Sequence, residues 1–84
     1  MAEDERKIVV QYFAMLREEA GVSEEDVLTS QTSAQELFEE LRTRHGFTID
    51  TTSLKLVVNE EFQDWSHPLN DGDTIVFIPP VAGG

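Results

Sequence analysis

The chain is 84 residues long and 39% hydrophobic, with 17 acidic residues against 6 basic ones, a formal net charge of −11 and no cysteine. That length holds one domain, and the lack of cysteine removes disulfides, thiolate metal sites and a cysteine nucleophile. No apolar run approaches the ~20 residues of a membrane span, and so acidic a surface repels phosphate backbones, which argues against nucleic acid and suits a basic protein partner.

Residues 1–6 read as a frayed lead-in. Their opening, "MAEDER", is acidic with no apolar stretch behind it, so the expected location is cytoplasmic. "KIVVQYF" then alternates Ile8, Val10 and Tyr12 against Val9, Gln11 and Phe13, which predicts a strand with one face fully buried and the other partly so. "AMLREEAG" suits a short helix that Gly21 can end, and "EDVLTS" predicts a second strand returning beside the first.

The clearest helix is "TSAQELFEELRTRHG". Ser33 is placed as N-cap with Glu36 completing a capping box. Ala34, Leu37, Phe38 and Leu41 make one apolar stripe, and Arg42, Arg44 and His45 load the last turn, where cations suit the helix dipole. Gly46 takes the position after the C-cap, with Phe47 able to fold back on the last turn.

"SLKLVV" predicts a strand over residues 54–58, followed by a turn at Asn59-Glu60 and a short strand through Phe62. Asn70, Asp71 and Gly72 are turn residues. "TIVFI" is the last strand, with Ile75 and Phe77 on one face and Val76 and Ile78 on the other, and Pro79-Pro80 stops it. The order strand, strand, helix, strand, short strand, strand predicts a single α+β domain over residues 1–84. It fits a mixed β-grasp sheet with one main helix across it. The first and last strands are then parallel neighbours at its centre, as expected of near-continuous apolar runs.

Catalytic signatures are missing. There is no phosphate-binding glycine loop, and His45 and His67 are isolated, the first read as a helix C-terminal cation and the second as structural. "NDGD" lacks the ligand alternation and distal glutamate of a calcium loop and reads as a β-turn, so no metal site is expected. No carboxylate sits in an apolar segment where burial would tune it for acid–base work. What remains is the ending "FIPPVAGG", part of a stretch from Thr74 onward without a charged side chain. Residues 79–84 read as an extended tail whose six residues reach at most roughly 20 Å. Glycines pass where a β-carbon would obstruct, and the group delivered is the Gly84 α-carboxylate, which is ionised at neutral pH and needs activation before it can act as an acyl donor.

The segment "DGDTIVFIPPVAGG", with "YFAMLREEAG", "VVNEE" and "HPLNDGD" upstream, resembles the molybdopterin synthase small subunits, the MoaD-type branch of the MoaD/ThiS ubiquitin-like sulfur carriers. The resemblance spans about residues 7–84. It implies that an E1-like activating enzyme uses ATP to adenylate Gly84, and that a sulfur donor protein converts the acyl-adenylate to a thiocarboxylate. The carrier then docks on the molybdopterin synthase large subunit and threads its tail into that subunit's active site, where sulfur passes to cyclic pyranopterin monophosphate. It implies no bound cofactor, catalytic groups on the large subunit, and a heterotetramer. Carried across by position, Gly84 bears the cargo and Gly83 allows passage. Pro79, Pro80, Val81 and Ala82 form the inserted tail. Phe77 and Ile78 lie at the subunit interface, where Ile78 departs from a frequent aromatic, and Phe13 and Arg17 lie near the tail base. The same motif permits a ubiquitin-like modifier joined to lysine through Gly84, a carrier for another pathway such as thiamine synthesis, or a β-grasp interaction domain with an inert tail.

Overall fold

The computed structural model describes residues 5–80. Its elements, in chain order, are β1 (Arg6–Tyr12), α1 (Met15–Ala20), β2 (Glu24–Thr29), α2 (Ala34–His45), a 3-10 turn (Thr51–Ser53), β3 (Lys55–Val58), β4 (Glu61–Gln63) and β5 (Thr74–Ile78). One mixed sheet has the order β2-β1-β5-β3-β4. β1 and β5 are parallel neighbours, with Val9 opposite Thr74 and Tyr12 opposite Phe77, while β1–β2, β3–β5 and β3–β4 are antiparallel. The expected α+β grasp and its central parallel pair are both present.

Several boundaries move by a residue: β1 ends at Tyr12, leaving Phe13 outside it, and β2 starts at Glu24 and ends at Thr29. Arg6 is not part of a frayed lead-in: it opens β1 opposite Thr29 and donates from its guanidinium to the Gln31 carbonyl at 3.3 Å. Leu54 precedes β3 instead of opening it. The remainder of the lead-in, residues 1–4, lies outside the described residues, as do residues 81–84 of the tail.

The core lies between the sheet and α2. Ile8, Val10, Tyr12, Val27, Leu56, Val58, Ile75 and Phe77 from the strands meet Ala34, Leu37, Phe38 and Leu41 from the helix. Phe77 is the hub. It meets Phe38 edge-on at 5.1 Å between ring centroids and stacks on Trp65 at 5.7 Å, within the range where ring pairs add to simple burial. Residues alternate strictly along β1 and β5, buried toward α2 and half-buried on the other side. Their apolar character therefore does not come from cover on both faces, as parallel strands usually have. The second face of the sheet is open.

α2 begins on a modified capping box. Ser33 Oγ accepts from the Glu36 amide at 3.3 Å, as the spacing requires. The Glu36 carboxylate, however, reaches one residue further back, accepting from the Thr32 amide at 3.1 Å and the Thr32 hydroxyl at 3.0 Å. These bonds, the Thr32 amide first, hold its pKa below the usual glutamate value. At the other end Gly46 is left-handed (φ 74), and its amide and that of Phe47 both bond back to the Arg42 carbonyl.

β3 and β4 turn on Asn59 and Glu60, both at positive φ (51 and 75), the signature of a type I′ hairpin. The Asn59 side chain also ties this turn to the start of β5. Its Nδ2 donates to Asp73 Oδ1 and its Oδ1 accepts from the Thr74 amide, both at 2.9 Å. Asp73 is buried, contrary to the reading of its segment as a plain turn, and its second oxygen accepts from the Asn70 amide. The "VVNE" and "DGD" stretches are thus two halves of one clasp that sets where β5 begins.

Candidate functional site

The tail leaves the body at the end of β5. Phe77 faces inward and is completely buried, whereas Ile78 faces the open side of the sheet and is half-buried. Pro79 is buried and Pro80 exposed. Phe77 and Pro79, both expected at the partner interface, are buried within this chain, and the rings of Phe38, Trp65 and Tyr12 surround Phe77. They fix the base of the tail from inside. Pro80 is the first exposed residue after β5, and Val81, Ala82, Gly83 and Gly84 lie outside the described residues.

Phe13 follows Tyr12 out of β1 and is 48% exposed, so it is not core packing. It sits at a tight turn in which the Leu16 amide bonds back to the Phe13 carbonyl at 3.1 Å. Ala14 takes φ 52 and ψ −125 there, a conformation that glycine adopts freely and a β-carbon resists. Because Tyr12 pairs with Phe77, the next residues along, Phe13 and Ile78, lie at the same end of the parallel pair. Arg17 is exposed on α1, and its side chain has no hydrogen-bond or ion-pair partner among the described residues.

The open face contributes residues that the sequence reading passed over. Glu24, Gln11, Val76, Val57 and Phe62 form one row across all five strands. Phe62, read earlier only as the end of a short strand, is 71% exposed on this face. The signal was present: a two-residue turn at Asn59-Glu60 puts Glu61 opposite Val58 and Phe62 opposite Val57. Gln11, Val57, Thr74 and Val76 line a shallow depression of about 340 Å³ on it. With Phe13 and Ile78 at one margin, the face is an apolar surface continuous with the base of the tail, and exposed apolar patches of this kind mark interaction sites.

On the opposite face His45 does more than complement the helix dipole. Its Nε2 is 2.7 Å from Glu25 Oε2, the oxygen that also accepts from the Tyr12 hydroxyl. Burial alone raises the Glu25 pKa, but the hydrogen bonds from Tyr12 and His45, with the charges of His45 and Arg44, outweigh it and hold the carboxyl below the usual glutamate value. Burial, then the bond to Glu25, pushes the Tyr12 phenol well above its ordinary range. This group joins β1, β2 and the end of α2. It faces no cleft and reads as a structural joint. No cluster of three or more potential metal ligands occurs among the described residues, and no helix among them is long and apolar enough to cross a membrane.

A five-strand β-grasp sheet with one main helix, whose central strand runs out into a proline-led tail, defines the class of ubiquitin-like domains. The chain belongs to the ThiS family, whose profile matches residues 10–84. It is 31% identical to the "Molybdopterin synthase sulfur carrier subunit" of Escherichia coli K12, across 92% of this chain and 99% of that protein. Among solved structures it resembles molybdopterin converting factor, subunit 1, from Pyrococcus furiosus, with a TM-score of 0.76 and 34% identity over 90% of this chain and 99% of that one. It also resembles a chain in the protein–protein complex of subunits 1 and 2 of molybdopterin-converting factor from Helicobacter pylori, with a TM-score of 0.63 and 26% identity over 93% and 99%.

Proposed function

We propose that this chain is the sulfur-carrier subunit of a molybdopterin synthase. The observation that carries the reading is a family match running through residue 84, on a fold that plants the tail's base in the core and leaves an apolar face beside it. The Gly84 carboxylate attacks the α-phosphate of ATP within an E1-like enzyme, releasing pyrophosphate. The persulfide sulfur of a donor protein then attacks the acyl carbon and expels AMP, and a thiol reductant cleaves the S–S bond of the acyl disulfide so formed, leaving a thiocarboxylate on Gly84. The loaded carrier docks on the large subunit through its open sheet face, using Phe13, Ile78 and Phe62. Residues 80–84 enter the partner's active site, and sulfur passes there to cyclic pyranopterin monophosphate. Gly83, with no β-carbon, lets the terminus pass through a narrow channel, and Phe77 and Pro79 hold the strand end against the strain of insertion. The carrier supplies reach, docking and cargo, and holds no cofactor of its own; the catalytic groups belong to the partner.

Intact-mass measurement after incubation with the activating enzyme, ATP and a sulfur source tests this. One sulfur in place of one oxygen at Gly84 is expected, with pterin sulfuration lost on deleting Gly84. Sulfuration that survives the deletion overturns the mechanism, and covalent adducts on lysine in place of sulfur loading identify a protein modifier instead.

A further inference from the structure

The open face is not uniform in charge. On the β2 side Glu24 is exposed, held by the Gln11 amide at 3.2 Å, and Asp26 stands beside Lys7 at 3.9 Å. Three strand spacings away, roughly 14 Å, Lys55 projects from β3 directly opposite Ile78, the last residue of β5. Lys55 is exposed and makes no ion pair among the described residues, although the chain has 17 acidic residues. The other exposed lysine, Lys7, has Asp26, and Arg42 and Arg44 pair with Glu39 and Glu40 on α2; Arg17, on α1, is also exposed and without an ion pair among the described residues, but it is not on the sheet. Lys55 also stands between two depressions at the base of the tail. One of about 560 Å³ is lined by Leu54, Leu56, Phe62 and Trp65, and the other, of about 330 Å³, by Thr52, Ser53, Ile78 and Pro80. Asp64 lines the larger one without pairing with the ammonium.

We propose that Lys55 is a specificity-determining contact that pairs with a carboxylate on the large subunit, at the mouth of the channel receiving the tail. The inference rests on the carrier reading above and adds the orientation of docking. A partner matched to a net charge of −11 is basic over most of its contact surface, and a basic surface placed at random over this face sets a cation against Lys55. One carboxylate there, with cations opposite Glu24 and Asp26, admits a single orientation and penalises the rotated one through like-charge contact. The apolar strip of Val57, Val76, Ile78 and Phe62 has no directional preference of its own and gains one from these margins. A nucleotide phosphate is a poorer occupant. An adenylate on Gly84 lies six residues beyond Ile78, up to roughly 20 Å from Lys55 when the tail is extended.

Two measurements with the large subunit of the same organism test the pairing. Lys55→Glu is expected to weaken binding by about tenfold or more and Lys55→Arg to retain it, with circular dichroism unchanged for both because the side chain is exposed. Zero-length carbodiimide cross-linking is expected to join Lys55, one of only two lysines, to an Asp or Glu of the partner, located by peptide mass spectrometry. If the unaltered protein binds while Lys55→Glu binds equally well and cross-links form only at Lys7 or nowhere, the pairing is overturned and the carrier reading stands. If the unaltered protein does not bind the large subunit at all, both fall.

Discussion

Ala14 is the residue whose backbone most contradicts its identity. Its φ of 52 with ψ of −125 is a glycine conformation occupied by alanine, and such outliers store about 1–3 kcal/mol and collect at functional sites. The turn it makes ends β1 abruptly and leaves Phe13 outside the core at the margin of the docking face. Ala14→Gly removes the β-carbon conflict and is expected to raise unfolding free energy by about 1 kcal/mol, allowing for the greater freedom of glycine in the unfolded chain. Urea denaturation reads this directly. A melt unchanged or lowered by the substitution would mean that the turn is not strained. Alanine at this point trades stability for a stiffer presentation of Phe13.

β5 is the element in which folding and function divide residue by residue. Phe77 points into the core and Ile78 out of it. Phe77→Ala is therefore expected to cost about 3–5 kcal/mol through lost packing against Phe38 and Trp65. Ile78→Asp is expected to change the melting transition little and to weaken large-subunit binding severely, because a charge is carried into a desolvated contact. Calorimetric melts and binding titrations on the same two variants separate the roles. Equal effects on both readouts would deny the division. This element was also the most legible in the sequence. "TIVFI" closed by Pro79-Pro80 gave its limits and its alternation, and α2 was as plain through its stripe and its glycine. What sequence alone missed was register. The neighbours at the sheet centre were foreseen, but the row joining Glu24 to Phe62 depends on which residues stand opposite one another across all five strands, and no local pattern states that. The burial of Pro79 and Asp73 was hidden for the same reason. Both lie in segments that read as breakers and turns, and for Asp73 it is the clasp from Asn59 that brings it inside. Lys55 carried no motif, and its significance depends on its being opposite Ile78.

Over the whole molecule the acidic surplus makes pH a control on stability. Glu25 is half-buried, a carboxylate shared by Tyr12 and His45 that links three elements. Its pKa is lower folded than unfolded. Its stabilising contribution is therefore fully present above the ordinary glutamate value and is lost as pH falls through the lower folded value. The urea midpoint is expected to drop across that acid window. In Glu25→Gln it starts lower at neutral pH, and the gap to the unaltered protein narrows as acid removes the same charge. A gap that stays constant with pH would show that the contact, and not the ionisation, carries the effect. General relief of surface repulsion on acidification works in the opposite direction in both proteins, so it cancels in the comparison.

The placement of β5 has one more consequence, for how the protein is made. The strand that comes last in the described chain order is the middle one of the sheet, gripped by the first strand on one side and by β3 on the other. A nascent chain can collect α2 and the β1–β2 pair early, but it cannot close its sheet until residues 74–78 have left the ribosome. A chain terminated before that point lacks the seam of its own sheet and exposes two strand edges and the inner apolar face, the features by which proteases and chaperones recognise failures. The fold thereby checks its own progress: a molecule that survives in folded form has been translated at least through β5.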